Sequence, residues 1–233
     1  MAILCIESSG NICSAALALE GGKVITSIVS TTGEHASLLT TAISNVMTEA
    51  GVEYKALDAV AVSAGPGSYT GLRIGASTAK GICYANDIPL IAIPTLEIIA
   101  EEIFSKSNAE YAIPMIDARR MEVYCATIDR NFQYLTETEA KILDDTAFAE
   151  TLSEHKAALG GSGAEKSKTV ITSANATFID DANAKAEYMT KLAEKRYAAK
   201  DFADVAYFEP FYLKEYVAVV SKNKVLEEAR KNQ

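Results

Sequence analysis

The chain has 233 residues, 49% of them hydrophobic, and a mean hydropathy of +0.07, enough apolar material for a proper core without disulfide or metal staples. Its net charge of −9 and pI near 4.9 argue against tight binding of nucleic acid by this chain alone, because such binding rests on Lys and Arg neutralising phosphates, and Arg73, Lys80 and the Arg119-Arg120 pair make no dense basic stripe. The opening Met-Ala-Ile-Leu-Cys-Ile run has no basic lead and is interrupted at Glu7, far short of the ~20 apolar residues of a membrane span, and Cys5, Cys13, Cys83 and Cys125 include no CxxC pair. The expectation is a cytoplasmic chain with reduced core thiols and no membrane association.

Ile3 to Glu7 and Ile12 to Leu19 are apolar runs separated by turn residues, Glu20-Gly21-Gly22 is a hairpin signal, and Lys23 to Ser30 alternates as a third strand. From Glu34 the period changes: Leu38, Leu39, Ala42, Ile43, Val46 and Met47 fall on one helical stripe that Gly51 ends. Ala59 to Ala64 reads as a buried strand, Gly65 to Gly75 as a glycine-rich junction, and Ala76 to Ala85 as a second helix. Leu90 to Ile93 is a strand between Pro89 and Pro94, and Thr95 is placed to cap a helix running to about Ser105.

This order, three antiparallel strands joined to parallel ones through helical crossovers, fits the ribonuclease-H-like unit of the actin and hexokinase superfamily. A second segment starts near Asn108, with strands at Ala112 to Ile116 and Glu122 to Ile128 around the turn Asp117-Ala118-Arg119-Arg120. A polar stretch follows, then the loop Gly160-Gly161-Ser162-Gly163, a strand at Thr169 to Ser173 and a helix over Ala182 to Lys200. No strong internal repeat is visible. The expected organisation is an α/β actin-like (ribonuclease-H-like) fold of two lobes with mixed sheets flanked by helices. Residues 1–106 form one lobe, a helix over about 211–230 packs back on it, and 107–210 form the smaller second lobe.

Gly65-Pro66-Gly67-Ser68-Tyr69-Thr70-Gly71-Leu72-Arg73-Ile74-Gly75 is the most informative run. Lying between a strand and a helix, with Gly65, Gly67 and Gly71 lacking side chains, it leaves two readings open: an anion site at a helix N-terminus, or a tight turn that binds nothing. It is neither a GxGxxG nor a P-loop. In actin-like folds the turn after the first strand also faces phosphates, and here it reads Glu7-Ser8-Ser9, one carboxylate being weak support for Mg²⁺. His35 lacks the second histidine of an HxxxH zinc site, since Leu39 stands there, so it reads as a helix-start or interface residue. His155 has no serine elbow to serve. The Asp117 to Arg120 turn is a polar hairpin tip or an ion-pair site.

The glycine run resembles the GPGSFTGLRIG signature of the TsaB (YeaZ) family. It is accompanied by the Ile-Leu-x-Ile-Glu-Ser-Ser start, Glu34-His35, Pro94-Thr-Leu, Ile116-Asp-Ala-Arg119, Glu122-Val-Tyr124 and Glu209-Pro-Phe-Tyr-Leu. The resemblance implies a non-catalytic subunit that pairs with the catalytic paralogue TsaD and works with the ATPase TsaE in transferring threonylcarbamoyl to an adenosine of transfer RNA. Transfer RNA would be reached only through the complex. It further implies a homodimer when alone, no cofactor required by this subunit, and at most a weak ATP or ADP site with magnesium shared with TsaD. The degenerate phosphate-facing loops would be Glu7, Ser8, Gly65, Gly67, Ser68 and Gly71. The partner face would be His35, Leu38, Leu39, Ala42, Ile43, Val46, Arg73, Ala76 and Lys80. Glu7 departs from the family's usual aspartate, and Lys214 from a frequent arginine. An actin-fold small-molecule kinase and a metallopeptidase are the competing classes. The first needs tight nucleotide binding and the second the missing histidine.

Overall fold

The computed structural model describes residues 1–30 and 35–214. Strands β1 (Ala2–Glu7), β2 (Ile12–Leu19) and β3 (Lys23–Ser30) form the antiparallel start that their apolar runs predict. Helix α1 (His35–Ala50) and α2 (Tyr69–Asn86) flank β4 (Ala59–Ser63), and β5 (Leu90–Ile93) precedes α3 (Thr95–Lys106). β4 lies parallel to β1, with Ile3 opposite Ala59 and Cys5 opposite Ala61, and β5 lies parallel to β4, so the first sheet is ordered β3-β2-β1-β4-β5.

The second sheet repeats that plan. β6 (Tyr111–Asp117), β7 (Glu122–Asp129) and β8 (Tyr134–Ile142) are antiparallel neighbours, and β9 (Ala157–Gly160) and β10 (Ala176–Phe178) add parallel strands on the other side of β6. The order β8-β7-β6-β9-β10 is the first sheet's order over again. The repeat is one of topology, not of residues, which is why the sequence hides it. Two mixed five-stranded sheets with helices between and outside them make this an actin-like fold.

Both faces of β1 are buried, and its residues divide by the period of two. Leu4 and Ile6 face α1 and α2, packing with Leu39, Ala42, Ile43 and Val46, whereas Ile3 and Cys5 face the layer between the sheets. That layer holds α3, a 3-10 turn at Ala186–Met189 and α6 (Thr190–Ala198), and it packs against Ala112, Ala126, Ile128 and Ala158 of the second sheet. Buried Glu102 of α3 secures it by accepting from the Asn183 amide and pairing with Lys185 at 2.5 Å and Lys106 at 2.8 Å. The far face of the second sheet is covered by α4 (Ala149–Glu154) and the segment around Ile171, with α5 (Ala164–Ser167) beside β6. All four cysteines are free and buried, as expected.

Several expected elements differ. α2 begins seven residues earlier than Ala76 because Ser68 caps it, its hydroxyl accepting from the Gly71 amide, so most of the glycine run is already helix. Pro94, not Thr95, occupies the cap of α3. The polar stretch after residue 129 contains β8, whose half-exposed alternation lacks a strong apolar signal. Residues 169–173 form turn and loop instead of a strand, the strand being Ala176–Phe178, and the helix expected from Ala182 starts as a 3-10 turn at Ala186. Residues 211–214 are not helical, and the remainder of the helix expected over 211–230 lies outside the described residues.

Candidate functional site

A cleft of about 770 Å³ opens between the two sheets at the carboxyl ends of their parallel strands. Such ends are where open α/β sheets bind ligands, because loops and helix N-termini converge there. The repeated topology supplies equivalent walls. From the first sheet come the β1–β2 turn, Ser9 to Asn11, and the α2 start, Gly67 to Thr70. From the second come the β6–β7 turn, with Arg119, and Ser162 of the loop after β9.

The glycines of the long run answer to close packing within the chain. A Cβ at Gly71 would overlap the Ser8 carbonyl oxygen, one at Gly67 would stand 2.6 Å from the Ser9 carbonyl oxygen, and one at Gly75 would overlap the Ser8 hydroxyl. Gly65 adds a φ of +102° and faces the Phe211 carbonyl. Hydrogen bonds finish the junction: Ser68 N donates to Ser9 O at 2.6 Å, and Ser8 Oγ to Gly71 O at 2.8 Å. Of the two readings left open for this run, the tight junction therefore accounts for the glycines themselves. The second sheet uses the same device, since Gly161, at φ +108°, faces the Met115 carbonyl, and Gly163 N donates to it at 3.0 Å. The Gly160 to Gly163 signal was visible in the sequence, but only the fold gives it this role.

Each sheet places one carboxylate at the end of its first strand, and the two are treated oppositely. Glu7 is fully buried; its Oε1 accepts from Ser9 N and Ser9 Oγ, both at 2.5 Å, and its Oε2 meets no hydrogen-bond donor among the described residues. Burial pushes its pKa up from 4.5 to about 7, against the opposing pull of the Ser9 bonds. At Asp117 partial burial also pushes upward, but the hydrogen bonds from Lys166 Nζ, at 2.5 Å, and from the Arg119 amide outweigh it and hold the carboxyl below its usual range. Lys166 also donates to the Arg120 and Glu122 carbonyls, so the hairpin tip is an ion-pair site as well as a polar turn. The backbone at Arg119 lies at φ +71°, and this residue, like Ser162, Tyr124 and Tyr212, lines the cleft without having been singled out as a site residue.

The expected partner stripe needs correction. Leu39, Ala42, Ile43 and Val46 are 0 to 2% exposed and Ala76 is 4% exposed; they are core residues beneath the helices and cannot meet a partner while the fold stands. Leu38 is half-buried, and the side chain of His35 lies outside the described residues. Lys80 spends its ammonium on the carbonyls of Ala206 and Phe208. Arg73 is exposed, its guanidinium 4.7 Å from the centre of the Tyr69 ring. It shares α2's outer stripe with Ser77, Gly81 and Tyr84, the last 86% exposed. His155 stacks on Tyr111 at 4.6 Å.

Comparison with known proteins agrees with this architecture. The family model described as TsaD, tRNA N6-adenosine threonylcarbamoyltransferase, matches residues 24–233. The tRNA threonylcarbamoyladenosine biosynthesis protein TsaB of Haemophilus influenzae is 30% identical over 227 residues, covering 93% of this chain and 95% of that protein. The chain belongs to the TsaB family. Escherichia coli TsaB is 33% identical over 131 residues, 56% of each chain. The structure of YeaZ from Pseudomonas aeruginosa superposes with a TM-score of 0.82 at 25% identity, covering 91% of this chain and 99% of that one. Among the described residues no helix is long and apolar enough to cross a membrane, and no group of three or more His, Cys, Asp or Glu is arranged to hold a metal ion.

Proposed function

We propose that this chain is the non-catalytic subunit that binds and activates TsaD for threonylcarbamoyl transfer to adenosine in transfer RNA. The observation that carries the reading is likeness to TsaB over nearly the whole length of both chains, in sequence and in fold. Its non-catalytic character is supported by Leu39, which stands where an HxxxH site needs its second histidine and is itself core. The close fit of Ser8 and Ser9 against the glycine run supports a cleft whose floor is built for rigidity, with no cofactor required by this subunit and at most weak ATP or ADP and magnesium held jointly with TsaD. TsaE acts on the assembled pair, transfer RNA is contacted through the complex, and the free chain self-associates, all in the cytoplasm.

The partner face is reassigned to the exposed stripe of α2: Arg73, Ser77, Gly81 and Tyr84. Small residues at Ser77 and Gly81 let another helix approach closely, and nothing lies within 4 Å of a Cβ at Gly81. Exposed Tyr and Arg are the types that anchor interfaces. The test is threonylcarbamoylation of transfer RNA in a reconstituted mixture with and without this chain. Product should fall to background on omission; equal product without the chain sinks the proposal. Tyr84→Glu should weaken binding to TsaD at least about tenfold while leaving the fold intact. Unchanged affinity would remove α2 from the interface.

A further inference from the structure

After α6, which lies against β1, β2 and β5 of the first sheet, the described chain runs on to residue 214. Residues 203–214 cross the molecule, touching a different element every few residues. Ala203 N donates to Leu90 O at 2.8 Å on the edge of the first sheet. Asp204 Oδ1 then accepts from the Ala206 and Tyr207 amides, forming a turn whose neighbouring carbonyls, Ala206 O and Phe208 O, accept from Lys80 of α2 at 3.0 and 3.1 Å. Phe211 N donates to Ala64 O at 2.7 Å, directly before the glycine run, and the Phe211 carbonyl faces Gly65. Tyr212 stacks on Tyr69 with ring centres 5.0 Å apart. Lys214 finally pairs with Glu122, the first residue of β7, on the opposite side of the cleft. Phe211 to Lys214 thus form one wall of that cleft.

We infer that residues 203–214 are a tie-strap across the cleft, anchored on the first sheet and latched to the second through Lys214 and Glu122, and that undoing the latch opens the cleft. The anchoring and latching ends differ in kind. The first is built from backbone hydrogen bonds and an aromatic stack, the second from an ion pair whose members are 47% and 24% exposed. Exposed ion pairs are weak and readily exchanged, so the latch is the end that releases. Glu122 also belongs to the Lys166-pinned hairpin through its carbonyl, so the strap reports directly on the Arg119 wall. Because Lys80 holds the middle of the strap, a partner docked on α2 touches the helix that carries it. The inference itself rests only on contacts within this chain and stands whether or not TsaD is the partner.

Hydrogen exchange of the full chain, read by peptide, tests it in Lys214→Glu, Glu122→Lys and the double charge swap. Either single variant should speed exchange at Phe211 and across Gly67 to Thr70 by up to about fivefold, and the double variant should restore protection at both. Lys191→Glu, which breaks the exposed pair with Glu101 away from the cleft, should change neither segment. Three results would overturn the inference: no change in the single variants, loosening of residues 209–213 with Gly67 to Thr70 unmoved, or a double variant no better than the singles. The second of these makes the segment a tail that does not control the cleft.

Discussion

The two sheets share one strand order and differ in what stands at the end of the first strand. In the first sheet Glu7 lies on the same face of β1 as Ile3 and Cys5, is fully buried, and its pKa rises although Ser9 donates to it twice. In the second, Asp117 is half exposed, the helix that follows the glycine loop has four residues, and Lys166 holds the carboxyl down. A carboxylate at the same topological position is thus a costly buried group on one side and a solvated ion-pair partner on the other. The difference lies in burial and in the cation beside it, not in the charge type: Glu7 is fully buried, whereas Asp117 is half exposed and bonded by Lys166.

This contrast makes the first half the less forgiving one. The largest effect expected is from Ile43→Glu, which buries an unpaired carboxylate beside Leu4 and Ile6 and should cost more than ~4 kcal/mol, unfolding the chain at moderate denaturant. Retained stability would show that α1 does not pack as described. Next comes Glu7→Gln. A carboxyl whose folded pKa stands above its unfolded value holds its proton more tightly when folded, so its contribution falls as pH rises from about 4.5 towards 7 and is level beyond. The parent should lose up to ~3 kcal/mol relative to the Gln variant across that window in denaturant titrations. Parallel curves for the two would mean that folding does not raise the Glu7 pKa.

Gly71→Ala should cost ~2 kcal/mol through its overlap with the Ser8 carbonyl, although alanine is the better helix former. In the same helix Gly81→Ala, facing open space, should gain up to ~1 kcal/mol. Melting both variants separates packing from propensity. The smallest effect is at Asp117→Asn. With its pKa lowered, Asp117 contributes stability that is present above 3.8 and lost as pH falls below it. Half exposed, it should be worth under ~1 kcal/mol and leave the pH 7 melting point nearly unchanged. A shift as large as that of Glu7→Gln would erase the distinction between the two sheets.

The first sheet was legible in the sequence because its strands alternate or run apolar over their whole length: Ile12 to Leu19 and Lys23 to Ser30 were read to the residue. β8 was not, since Thr136, Glu137, Thr138 and Glu139 give an edge strand no apolar signal. The stripe on α1 was read correctly as amphipathic and wrongly as a partner face. Periodicity reports that a face is covered, and Leu39 and Val46 are covered by this chain's own β-sheet.

The sequence by itself determined the actin-like plan of the first half, the family, the free cysteines and the importance of the glycine run, because these rest on local period, turn chemistry and a specific string of residues. Only the tertiary structure decided what those glycines serve, which face of each helix remains open, and how Arg119, Tyr212 and Lys214 come to line one cleft. Those facts depend on contacts such as Gly71 with Ser8 and Lys214 with Glu122, whose partners stand 63 and 92 residues apart, and no local pattern encodes a meeting over that distance.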